Sequence, residues 1–194
     1  MKIEMILLLL FTSFLTSCGQ TNKLSEEDFK WMPYKGNETL VFKSNTGDTN
    51  RIFILEKDTL LAYPEAQAIN GIEYEVVGVL CNHYSRDNQG KGRKYYFFEL
   101  QKAKDNRTEM VFNLSFDDIE FDRIRPVKID SLIKMAPIKL QTSFGQYDDV
   151  YVIYPDDIGM YFYTRSGFIT KLYWSKSKGL IRYDKKDNIY WELI

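Results

Sequence analysis

The single histidine of the chain and one of its two cysteines stand two residues apart, in Cys81-Asn82-His83. A thiol beside an imidazole is the raw material of nucleophilic catalysis, the base drawing off the proton and the thiolate attacking. Here the pair closes a run with period-two alternation, IEYEVVGVLCNHY at 72–84, and residues two apart on a strand point the same way. The same geometry sets Val77 and Val79 on the face of Cys81. That makes the cysteine a small buried hydrophobe and leaves His83 at the wet end of the strand. Adjacent same-face positions on one strand rarely allow the direct side-chain hydrogen bond a dyad needs. No catalytic residue is assigned on this basis, and the chain is read as a non-enzyme.

Carboxylates are the only plentiful metal ligands, since there is no C-x-x-C and no H-E-x-x-H. They come in pairs at strand boundaries, Asp117-Asp118, Asp148-Asp149 and Asp156-Asp157, where Asp ordinarily starts turns. A calcium site built from two such loops is the competing reading; none is assigned. The stretch DNQGKGRK at 87–94 has the glycines and lysines of a phosphate loop, but a strand, KYYFFEL, follows it where a helix is required. No G-x-S-x-G is present. No cofactor is expected.

The other cysteine, Cys18, follows a short apolar stretch. Residues 5–11, MILLLLF, with Phe14 and Leu15 beyond them, fall far short of the ~20 residues that a membrane-spanning helix needs. They have the length of a signal-peptide hydrophobic region. Leu15-Thr16-Ser17-Cys18 resembles the bacterial lipobox. That resemblance implies a diacylglycerol thioether on Cys18, cleavage before it, and acylation of the new amine. Two or more acyl chains hold a protein firmly where one does so only marginally. The expected organisation is a signal peptide at 1–17, a lipidated polar tether at 18–24 and one β-rich domain at 25–194. Glu26-Glu27-Asp28 come too late after the cysteine to resemble a surface-export signal, so an outer-membrane anchor facing the periplasm is expected. Ser25 followed by Asp28 fits a helix N-cap, giving a short helix at 25–31. With Cys18 lipidated, Cys81 has no partner for a disulfide.

The elements that would position these groups are strands. Aromatic residues make up 15% of the chain, and such residues favour pleated, half-buried surfaces. Lys and Arg number 26 against 27 Asp and Glu, a net charge of -1. That balance offers no general attraction to nucleic acid, and no nucleic-acid partner is expected. Alternation marks strands at 39–43, 72–84, 93–102, 109–116, 149–154, 159–163, 168–175, 179–183 and 188–193, and the continuous apolar run at 51–56 reads as a strand covered on both sides. Met110, Phe112, Leu114 and Phe116 are expected on one unbroken face, and Gly78 at a bulge or bend. Runs this short joined by tight turns must pair antiparallel. A second short helix is read at 63–69, while 117–147 is the least readable part: VKIDSLIKMA, bracketed by Pro126 and Pro137, reads either as a helix of about two turns or as an irregular crossover. The expected fold is all-β: a single antiparallel meander domain with a curved sheet, as a half-barrel or barrel, or failing that a β-sandwich, with one or two short helices.

Two further stretches carry a resemblance. FKWMPYKGNETLVFKSNTGD at 29–48 contributes Trp31, Pro33, Tyr34, Leu40 and Phe42. LYWSKSKGLIRYDKKDNIYWEL at 172–193 contributes Tyr173, Ser175, Gly179, Leu180, Tyr183, Trp191 and Leu193. With the lipobox they resemble small outer-membrane-type lipoproteins of Bacteroidota. The resemblance covers both ends of the chain and brings structural motifs without an activity. The function expected is that of a membrane-anchored cell-envelope lipoprotein, a non-enzymatic binding or structural module with a protein partner or an apolar ligand. The alternative is a carrier holding an apolar ligand or lipid in a cavity of the curved sheet, which a filled core would argue against.

Overall fold

The structure is a computed structural model that describes residues 21–62, 72–83, 93–116, 119–121, 125–156 and 167–194. Residues 1–20 with Cys18, the helix expected at 63–69, the glycine-rich residues 87–92, Asp117-Asp118, Asp157 and the strand expected at 159–163 lie outside the described residues.

In chain order the elements are β1 (Thr21–Asn22), α1 (Glu26–Phe29), β2 (Glu38–Ser44), β3 (Thr49–Ala62), β4 (Glu73–His83), β5 (Arg93–Lys102), β6 (Thr108–Phe112), β7 (Ser115–Phe116) and β8 (Ile119–Glu120). There follow β9 (Val127–Lys128), α2 (Ile129–Lys134), β10 (Ile138–Gln141), β11 (Gln146–Ile153), β12 (Ile169–Ser175), β13 (Gly179–Lys185) and β14 (Tyr190–Leu193). One sheet runs in the order β10-β11-β12-β13-β14-β2-β3-β4-β5-β6-β9, with β1 added to β4; β7 and β8 pair separately. Every pairing along that path is antiparallel, and β1 alone joins in parallel. The all-β expectation holds. The single meander becomes two, β2 to β6 and β10 to β14, fused where the last strand lies beside β2 through Trp191↔Ser44, Glu192↔Lys43 and Leu193↔Phe42.

The sheet is curled into a half-barrel, and two rings measure the curl. Trp174 on β12 and Phe98 on β5 are six strands apart, about 29 Å across a flat sheet at ~4.8 Å per strand. Their ring centroids stack 4.3 Å apart. The inner face is therefore closed on itself by side chains. Trp31, Tyr34, Phe42, Phe97, Phe98, Phe112, Trp174 and Tyr183 belong to one buried cluster, together with Ile52, Ile54, Val77, Val79 and Leu172. Each large ring removes roughly 150–250 Å² from water, a gross gain of about 4–6 kcal/mol per ring.

The segment after α1 packs its side chains into the buried cluster. Ser25 caps that helix as expected: the Asp28 N–H donates to Ser25 Oγ at 3.2 Å, and the Ser25 N–H donates to Asp28 Oδ2 at 2.8 Å. Trp31 and Tyr34 then enter the core. Tyr34 Oη accepts the backbone N–H of Leu180 at 2.9 Å. Gly179 beside it has φ +83, and a Cβ there would lie 2.3 Å from Tyr34 Oη, so this turn demands glycine twice over. The two terminal stretches with shared spacing thus grip each other.

Four expectations change. Residues 21–24, assigned to the tether, belong to the folded body. Thr21 and Asn22 pair with Glu73 and Tyr74, the Leu24 N–H donates to Glu75 Oε2 at 2.6 Å, and the Leu24 side chain is buried. The start of β4 extends past the end of β5 and leaves a backbone edge for β1 to fill. Strand β3 continues to Ala62, well past the apolar run at 51–56, because its backbone stays paired with β4 throughout. The strand at 109–116 breaks after Phe112, and Ser115–Phe116 turn away to pair with β8. Gly78 is regularly paired with Asp58 and Glu99, and the bulge lies one step further on, between Val79 and Leu80. The glycine is required because the Tyr96 ring lies over it; a Cβ would sit 2.5 Å from Tyr96 Cδ1. The described part of 117–147 consists of short pieces, among them the six-residue α2 inside VKIDSLIKMA, the helical one of its two readings, with Ile129 and Leu132 buried.

Candidate functional site

Cys81 lies on the inner face, fully buried in the large cluster. Burial pushes its thiol up to about 11, so at neutral pH it is a protonated apolar filler rather than a nucleophile. The backbone of His83 pairs with Arg93 at the end of β4; its side chain is outside the described residues. Cys18 is outside them too. Asp149 is a latch: Ser175 Oγ donates to its Oδ1 at 2.7 Å and the Ser177 N–H to its Oδ2 at 2.8 Å. Burial works to raise its pKa, and these bonds outweigh it and lower it. Asp148 is exposed, and Asp156 accepts the Arg125 N–H at 2.8 Å. Among the described residues no three His, Cys, Asp or Glu side chains come together in a metal-binding group. Nor is any described helix long and apolar enough to cross a membrane.

The outer face of the sheet divides into two halves. Over β11 to β14 it carries its own small core, Val150, Tyr173 and Ile181 with Leu140, Tyr147 and Val152. The tip of the β10–β11 hairpin bends across to β14, where the Ser143 N–H donates to Glu192 Oε2 at 3.0 Å. Glu192 is 3% exposed. Its other oxygen accepts Arg182 Nη1 at 3.2 Å, while Arg182 Nε donates to Asp184 Oδ1 at 2.7 Å. The guanidinium lies 4.0 Å from the centre of the Tyr190 ring and 5.3 Å from that of Tyr173, a stacked, forked arrangement to which Arg is suited. Tyr173 donates to Asp184 Oδ2 at 2.9 Å. Burial, with Asp184 beside it, pushes that phenol up to about 12. Every charge here has a partner.

The other half, over β3 to β6, is open. Strand register sets Leu60, Val76, Gln101 and Glu109 in one row on the outer face, with Ala62 and Tyr74 in the next. A cleft of about 270 Å³ is lined there by Ala62, Tyr74, Val76, Gln101 and Glu109, with Lys102, Ala103 and Lys104 along the β5–β6 turn. Tyr74 and Val76 are buried yet stand outside the inner cluster. Glu109 is 9% exposed, and no described residue gives its carboxylate a hydrogen bond or ion pair. Among the described residues no cation forms an ion pair with it, although its charge acts on Arg107 and Lys128 is its cross-strand neighbour. Lys102 Nζ points away to Asp28 Oδ2 at 2.9 Å and Thr108 Oγ1 at 2.9 Å. Arg107 is bound to Asp105 at 2.5 Å. Lys128 stands across the strand pair from Glu109 with an exposed side chain.

Sequence reasoning passed over this cleft, although a signal was present. Val76-Val77 breaks the alternation of β4, and Tyr74 and Val76 place apolar groups on the face opposite Val77, Val79 and Cys81. A strand with one solvent face has no use for them. Compared with known protein families, with characterised proteins and with solved structures, the chain has no match.

Proposed function

We propose that this chain is a lipid-anchored cell-envelope protein, held through Cys18 at the periplasmic face of the outer membrane, whose β domain is a non-enzymatic binding module working at the outer-face cleft. The observation that carries this is the docking of Thr21 and Asn22 on the start of β4. Cys18 and Thr21 are three positions apart, a span of at most about 11 Å, and Tyr74, partner of Asn22, lines the cleft. An acylated Cys18 therefore sets the cleft close to the bilayer. The alternative, a carrier with its ligand inside the curved sheet, is disfavoured by the rings packed along the inner face.

The test is metabolic labelling with an alkyne fatty acid, followed by membrane fractionation. The native chain should take up the label and sediment with membranes, and Cys18→Ala should lose both. Labelling that survives Cys18→Ala would defeat the anchor.

A further inference from the structure

We propose that the outer-face cleft is a binding site for a primary ammonium group, with Glu109 as its counter-charge. The residue is largely covered, yet its carboxylate is not sealed from solvent, and among the described residues no group donates a hydrogen bond to it. It lines a cavity of about 270 Å³, room for a small head-group rather than a folded partner. The remaining wall states what else the ligand carries. Tyr74 offers a ring to a cation, the Gln101 amide offers an acceptor, and Val76 and Ala62 offer apolar contact to a short stem. One carboxylate with an amide and a ring matches the point charge and three donors of an ammonium. The planar fork of a guanidinium would call for paired acceptors.

This chemistry has two sources, an ethanolamine phospholipid head-group and a soluble amine. The first rests on the anchored reading, since the cleft sits at the end of the sheet from which the chain runs to Cys18.

The experiment is a titration of the full chain in detergent micelles, followed through the amide resonances of Val76 and Gln101. Ethanolamine, phosphoethanolamine and phosphocholine are the probes. The first two should give saturable shifts. Phosphocholine, with no N–H to donate, should bind at least about tenfold more weakly, and Glu109→Gln should weaken phosphoethanolamine by a similar factor. Exposed Glu56→Gln should change nothing. Bicelles of phosphatidylcholine with and without phosphatidylethanolamine then separate the sources. Shifts that appear on adding phosphatidylethanolamine assign the lipid head-group, and shifts with the free amines alone assign a soluble ligand. Absence of saturable shifts with any amine, or binding indifferent to Glu109→Gln in a chain that melts normally, overturns the site. Because free amines are titrated without reference to acylation, a failed fatty-acid label would remove the anchor and leave this result standing.

Discussion

Two glutamates on the same outer face, Glu192 on β14 and Glu109 on β6, are both largely hidden from water, and their surroundings are opposite. Glu192 has a backbone N–H on one oxygen and the Arg182 guanidinium on the other, under a hairpin that arches over it. Glu109 has a cleft. The first carboxylate ties β13, β14 and the β10–β11 hairpin together; the second has no hydrogen bond or ion pair among the described residues. Burial by itself does not separate a structural charge from a binding charge. The state of its hydrogen bonds does.

The contrast can be broken from either side. The largest effect is expected at the saturated end: Glu192→Ala leaves Arg182 Nη1 and the Ser143 N–H without their acceptor, Arg182 keeping only Asp184, and should cost about 2–4 kcal/mol in urea unfolding. Pairing it with Arg182→Ala in a double-mutant cycle should show strong coupling. Next comes Tyr34→Phe, which strips the acceptor from the buried Leu180 N–H and should cost about 1–3 kcal/mol. A smaller effect belongs to Asp28. Burial acts to raise its pKa, but hydrogen bonds from Thr108, Ser25 and Lys102 outweigh it and bring it to about 2, below the ordinary 3.8. Its carboxylate therefore adds stability that is complete well above pH 3.8 and drains away as the pH falls through about 2. After allowance for solvent screening that is about 1 kcal/mol, read as the difference between wild type and Asp28→Asn in melts from pH 5 to 2.

How much of this was legible in the sequence follows from the range of the interactions. Alternation marked β2 because it buries one face, with Leu40, Phe42 and Ser44 hidden. Strands β12 and β13 bury residues on both faces and were legible from their apolar and aromatic runs. Ser25 and Asp28 announced their own helix because a capping box is local. The fusion of β14 to β2 was invisible, since it pairs residues about 150 positions apart and leaves no mark in either strand. The tail of β3 was missed because backbone pairing alone sustains it. Glu109 went unnoticed for a related reason: in EMVFNLSF it reads as the polar half of an alternating pair. Only the row Val76, Gln101, Glu109 across three strands shows that it faces a cleft.

The most direct measurement is a matched pair of isosteric substitutions, Glu192→Gln and Glu109→Gln, each followed by chemical unfolding. Glu192→Gln should lose about 2 kcal/mol or more as its charge-assisted bonds weaken. Glu109→Gln should leave stability unchanged or raise it, as expected where a charge is kept for a ligand rather than for the fold. Equal losses at the two positions would contradict the assignment of Glu109 to binding.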